Sequence, residues 1–130
     1  MTTLVRFRVA GSSYAAPVGQ TREIRPAGEL VPLATSRPGV AGLLSWHGEA
    51  LSVVSLLGEG GRQVMVLDDG GEAFGLLVDE VEGVVQLGSE EPGPAPRGQA
   101  EELVSGTART QEGELMLLVD VGALGGWLRR

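Results

Sequence analysis

The chain has 130 residues, enough to bury a real core and the size of a single domain, so one unit spanning 1–130 is expected. Its net charge is −7 and all ten basic residues are arginine, a balance that disfavours phosphate backbones and anionic membranes and points to proteins as partners. With no cysteine, disulfides, thiolate metal sites and thiol nucleophiles are excluded, and a reducing, cytoplasmic setting is expected.

Apolar content rests on valine and leucine interrupted by 21 glycines, with aromatics at 4%, a composition that favours many short strands over helices and predicts an all-β fold. Residues 3–9 alternate, with Val5, Phe7 and Val9 on one face and Arg6 and Arg8 on the other, as a half-buried antiparallel strand does. The pattern lacks the apolar core of a signal peptide, and no run approaches the roughly 20 residues that cross a bilayer, so direct membrane insertion is not expected. Gly11, Ser12 and Ser13 read as a turn, and residues 14–18 as a second strand that Pro17 confines to an end or edge. Residues 19–25 fit either a helical turn or a short strand, with Glu23 outward and Ile24 inward. Pro26, Gly28, Pro32 and Pro38 then impose an irregular loop.

Residues 39–57 read as a β-hairpin turning at His47 and Gly48. Pairing Trp46 with Glu49 sets Leu44 against Leu51, Gly42 against Val53, Leu43 against Ser52 and Ala41 against Val54. Both faces are apolar, so this ribbon is expected at the centre of the molecule, buried on each side, with Trp46, His47 and Glu49 together at its tip. Residues 62–67 form the next strand, and Asp68-Asp69-Gly70-Gly71 is a strong hairpin signal joining it to residues 73–79. Residues 81–87 follow with a bulge expected at Gly83. Residues 89–99 hold three prolines and read as a surface loop. Residues 103–110 and 114–121 make a last hairpin across Gln111, Glu112 and Gly113. Residues 122–130 allow a short helix with Leu124, Trp127 and Leu128 facing in, weakened by Gly125 and Gly126. About nine short strands with frequent turns predict a barrel or sandwich.

No catalytic constellation emerges. The single histidine, His47, sits at a hairpin tip with no nucleophile elbow near it, and His47 with Glu49 supplies two ligands where a metal site needs more. Residues 58–61 have glycines but no following helix and no Lys-Ser or Lys-Thr pair, so they do not make a phosphate cradle. The acidic pairs Asp68-Asp69, Asp79-Glu80 and Glu90-Glu91 read as turn and strand-end charges. Neither enzyme activity nor a cofactor is expected.

The order of these elements resembles the CheW-like domain, the coupling module of bacterial chemotaxis that also forms the regulatory domain of CheA kinases. Val5-Arg6-Phe7 and Tyr14-Ala15-Ala16-Pro17-Val18 resemble the family's opening V-x-F and Y-A-L-P-V, and Arg22-Glu23-Ile24 its x-E-V/I. Residues 42–56 are similar to G-V-x-N-L-R-G-x-V-x-P-V-V-D-L, residues 74–81 to x-G-L-x-V-D-x-V, and residues 117–124 to L-L-D-x-x-x-L. The resemblance covers nearly the whole chain. It implies two small five-stranded SH3-like barrels packed together, no catalysis, and an adaptor coupling a chemoreceptor's cytoplasmic helical hairpin to a CheA-type histidine kinase. By position it assigns Glu23, Ile24, Val40, Leu43 and His47 to the receptor side, and Gly75, Leu76 and Val78 to the kinase-side barrel, where core roles compete with contact roles. The chain departs from the pattern at Ser45, His47, Ser52 and Ser55, where the family has asparagine, arginine, proline and aspartate. Imidazole cannot supply the bidentate carboxylate recognition of a guanidinium. The alternative is therefore a divergent interaction module serving pilus motility or another pathway without standard receptor coupling.

Overall fold

The computed structural model describes residues 2–34, 37–87, 93–94 and 102–130. Ten strands are present among them: β1 (Thr3–Val9), β2 (Ser12–Pro17), β3 (Thr21–Pro26), β4 (Val40–Trp46), β5 (Glu49–Val54), β6 (Gln63–Asp68), β7 (Ala73–Val78), β8 (Glu80–Gln86), β9 (Val104–Arg109) and β10 (Leu115–Val119), followed by helix α1 (Val121–Leu128). The strands form two five-stranded sheets, ordered β8-β1-β2-β10-β9 and β3-β6-β7-β5-β4. Single bridges bring the two edges of each sheet together, Leu87 to Thr110 in the first and Val31 to Leu43 in the second. Each sheet therefore curls into a small barrel. The chain leaves the first barrel after β2, builds the whole of the second with β3 to β7, and returns at β8.

Strand alternation sorts the apolar side chains into three clusters. Leu4, Ala15 and Met116 fill the first barrel. Leu44, Leu51, Val53, Val64, Val66 and Leu77 fill the second. The largest cluster lies between the barrels, where Val5, Phe7, Val9 and Tyr14 of the first meet Met65, Leu67, Phe74, Leu76 and Val78 of the second. In β6, Val64 and Val66 point into the barrel while Met65 and Leu67 point to the seam. A strand with two apolar faces is satisfied only where both are covered. Gly75 has a packing role in this scheme: a Cβ there would lie 2.7 Å from a Val53 methyl and 2.8 Å from a Val64 methyl.

Several expectations are met. β1 alternates as read, β6 and β7 pair across Asp68 and Ala73, and the β1–β8 ladder shifts register where Arg6 faces Gly83 and Phe7 faces Val81. Two are corrected. The turn after β1 is centred on Ala10 and Gly11, at φ +50° and +84°, so Ser12 and Ser13 belong to β2. Asp79 supports that turn by accepting the Ala10 N–H at 2.8 Å. The hairpin of residues 40–54 has the expected pairing from Trp46–Glu49 to Gly42–Val53, but Val54 pairs with Val40, and Ala41 is bulged out. It is also not the central ribbon, because β4 is the edge strand of its sheet and of the hairpin's residues only Val54 reaches the seam as a buried side chain. The ribbon covered on both faces is β6–β7. The loop expected at residues 89–99 lies outside the described residues, apart from Gly93 and Pro94.

Helix α1 follows β10 of the first barrel and lies on the second. The Asp120 carboxylate caps it by accepting the Ala123 N–H at 3.0 Å. At its other end Arg37 donates to the carbonyls of Trp127 (2.7 Å), Leu128 (3.1 Å) and Arg130 (3.2 Å) and stacks 4.0 Å over the Trp127 ring. Gly125, unfavourable by helix propensity, lets the helix approach Asp69 and Phe74. No helix of the described residues is long and apolar enough to cross a membrane.

Arg129 donates to the well-covered Asp69 carboxylate at 2.7 Å, and this bond, with backbone N–H donors, holds the Asp69 carboxyl below its ordinary range. A carboxylate more acidic in the folded state stabilises above its unfolded pKa, and the contribution fades as pH falls through the folded value. Asp69→Asn should therefore lower the unfolding midpoint at pH 7, and the gap from the parent should close in denaturant titrations carried toward pH 2. A gap independent of pH would contradict this assignment.

Candidate protein-docking surface

The β4–β5 connection has two residues, His47 at φ +48° and Gly48 at φ +79°. Positive φ at both central positions is the type I′ geometry that matches strand twist. Glycine adopts it freely, whereas His47 occupies a position better suited to asparagine. The turn aims Trp46 across the end of the second barrel. Its Nε1–H donates to Glu23 Oε2 of β3 at 2.5 Å, joining the two edge strands of the sheet through side chains as Val31 and Leu43 do through backbone. Glu23 Oε2 also lies 3.8 Å from His47 Nε2, Glu23 Oε1 lies 3.7 Å from the Arg25 guanidinium, and the His47 ring meets the Trp46 ring edge-on at 4.5 Å.

Of the receptor-side positions, the structure thus gathers Glu23 and His47 around a residue not assigned with them, Trp46. Its sequence signal was its place beside the turn, opposite Glu49. Glu49 is exposed and pairs with Trp46 across the ladder, but the carboxylate that meets the indole is Glu23. Ile24 turns to the opposite face of β3 and packs half-buried against the seam. Val40 is half-buried at the β4 bulge, and Leu43, also half-buried, is held by two backbone bonds to Val31. Gly75, Leu76 and Val78 lie in β7, which is paired on both sides. Leu76 and Val78 have no exposed surface, and these three positions shape the interior, the core role that competed with contact in the sequence reading.

Ile24 also lines a cleft of about 1090 Å³ that runs across both barrels. Arg8 comes to it from β1, Arg25 from β3, Arg62 from the turn before β6, and Asp79 and Glu80 from the β7–β8 junction. Arg25 is engaged by Glu29, with Nε–Oε1 at 3.0 Å and Nη2–Oε2 at 2.7 Å, which lowers the Glu29 carboxyl from its ordinary pKa. Among the described residues no three His, Asp or Glu side chains gather in a way that could hold a metal ion.

A family model described as the CheW-like domain matches residues 3–127. The chain belongs to the CheW-like domain family. Among solved structures it is similar to the scaffolding protein TtCheW from Thermoanaerobacter tengcongensis, with a TM-score of 0.77, 18% sequence identity, and coverage of 92% of this chain and 88% of that one. At that identity the likeness is one of fold. No curated protein matches. The two-barrel expectation is thereby met, and of the ten strands the one left open in the sequence reading is β3.

Because His47 holds a left-handed conformation at a turn position that suits asparagine, His47→Asn should stabilise the chain by up to about 1 kcal/mol, read as a higher thermal midpoint. A fall in stability would mean that the imidazole's packing on Trp46 outweighs the backbone preference.

Proposed function

We propose that this CheW-like chain is a non-enzymatic adaptor of chemotaxis-like signal transduction in the cytoplasm, coupling a chemoreceptor-like protein to a CheA-type histidine kinase. The observation that carries this reading is the span of the family match, residues 3–127, over a pair of barrels whose interiors are filled with apolar side chains. Among the described residues, what such a molecule offers a partner is its surface. On the receptor side the surface is the end of the second barrel, where Glu23, Trp46 and His47 form a polar and aromatic knuckle, with Val40 and Leu43 on β4 and Ile24 on the opposite face of β3. On the kinase side, Gly75, Leu76 and Val78 act from within by holding the shape of the second barrel, and the touching residues belong to its exposed shell.

One observation favours the second reading, a divergent module that serves pilus motility or another pathway. The hairpin tip carries His47 where the family pattern has arginine, and the Glu23 carboxylate is already engaged by Trp46. A tip built this way does not offer a free guanidinium to a partner's carboxylate.

The test is co-purification of the full chain with a CheA-type kinase and with a receptor's helical hairpin. The adaptor reading expects both complexes, and expects His47→Glu with Glu23→Arg to weaken the receptor complex roughly tenfold or more while sparing the kinase complex. Binding to neither protein would select the divergent reading, and an unaffected receptor complex would remove the barrel end as the docking surface.

A further inference from the structure

His47 is the single histidine of the chain, and at the tip of the β4–β5 hairpin 73% of its side chain is open to solvent. Its two ring nitrogens have different surroundings. Nε2 lies 3.8 Å from Glu23 Oε2, whereas Nδ1 has no hydrogen-bond partner among the described residues. Glu23 is itself fixed: the Trp46 indole donates to the same oxygen, and Arg25 lies 3.7 Å from the other. The charged groups on the elements around the imidazole are Glu23 and Arg25 from β3 and, from β5, the exposed Glu49, which stands opposite Trp46 in the ladder. Arg25 is also held by Glu29. Three carboxylates and one guanidinium leave this end of the barrel with a balance of −2 while the imidazole is neutral.

We propose that His47 is a proton-operated contact: protonated, it bridges Glu23 and a carboxylate of the receptor-like partner, and neutral, it does not. The inference rests on the adaptor reading for the partner and adds a regulation to it. Donor count makes the difference. A neutral imidazole carries one N–H and one bare lone pair, whereas an imidazolium carries two N–H groups. When the neutral ring's N–H is on Nε2, toward Glu23, Nδ1 meets a partner carboxylate lone pair to lone pair. When it is on Nδ1, Nε2 faces Glu23 in the same unfavourable way. Only the protonated ring satisfies both carboxylates, and its positive charge then lies between them. The ring takes up a proton from solvent as the partner docks and returns it on release, so protonation and binding strengthen each other. Trp46 holds the Glu23 carboxylate in place before the partner arrives, which spares the cost of ordering it. The family pattern has an arginine at this position, a cation throughout. An imidazole changes charge between about pH 5 and 8, so this chain makes conditional what a guanidinium makes permanent.

The experiment uses the full chain and two readouts, the first of which needs no partner. The Trp46 indole N–H resonance should move between about pH 5 and 8 with the same midpoint as the His47 ring protons, because both side chains share the Glu23 oxygen. His47→Asn, which suits the turn, should abolish that movement, with the Trp127 indole as internal reference. The second readout is affinity for a receptor's helical hairpin. In the parent it should rise roughly fivefold from about pH 8 to about pH 6. It should stay weak and flat in His47→Asn, and tight and flat in His47→Arg. A parent affinity indifferent to pH, or a pH dependence that survives in His47→Asn, would overturn the proposal. Receptor binding with no movement at Trp46 would remove the switch and leave the adaptor. Movement at Trp46 in a chain that binds no receptor hairpin at either pH would remove the adaptor reading and, with it, the docking role of His47.

Discussion

The structure depends on the apolar seam between the barrels. Alone, the first barrel has little to hold it together: its interior is built on three buried side chains, Leu4, Ala15 and Met116, and one of these is an alanine. Its larger apolar side chains, Phe7, Val9 and Tyr14, point the other way, into the seam, where Phe7 and Tyr14 stack at 5.7 Å between ring centroids. Full burial of a side chain such as Phe, Val or Leu contributes on the order of 1.5–3 kcal/mol, so the seam outweighs the first barrel's interior. The second barrel, with six buried apolar residues inside, is better founded, yet its Met65, Leu67, Phe74, Leu76 and Val78 would face water without the first. Chain order reinforces the dependence, because the first barrel's strands come from both ends of the sequence and close only after β3 to β7 have been laid down.

This arrangement determines where function is available. The faces of β6 and β7 are consumed by packing, so partners are left the barrel ends, the edge strands and the cleft along the seam. The end of the second barrel is stiffened by Trp46 and Glu23, which tie its two edge strands together. The cleft borrows one wall from each barrel, so its shape follows from how the barrels are set against each other. A scaffold that must hold other proteins in register benefits from such rigidity, since little ordering entropy is then lost on docking.

Local signals in the sequence were legible because their causes are local. The alternation of Val5, Phe7 and Val9, the hairpin at Asp68 to Gly71 and the bulge at Gly83 each follow from a few adjacent residues. So does the pairing of Trp46 with Glu49, and the family motifs supplied the two-barrel plan that these pieces alone do not specify. What escaped was non-local. The parallel pairs β2–β10 and β5–β7 have no turn to announce them. Two-sided apolarity was read correctly as a demand for two-sided burial but assigned to the wrong ribbon: residues 40–54 and 63–78 are both apolar on each face, and sheet order alone decides which is central. The Glu23–Trp46 bond joins distant parts of the chain through side chains, where spacing carries no information. β3 remained ambiguous because its exposed and half-buried residues give weak alternation.

The most direct test of the shared seam is native-state hydrogen exchange on Phe7→Leu, a substitution in the first barrel that shortens a fully buried seam side chain. If the barrels stand or fall together, amides of β6 and β7 in the second barrel should lose the same protection as those of β1, about 1 kcal/mol or more. Loss confined to β1, β2 and β8, with β6 and β7 unchanged, would show two independent barrels and contradict the account.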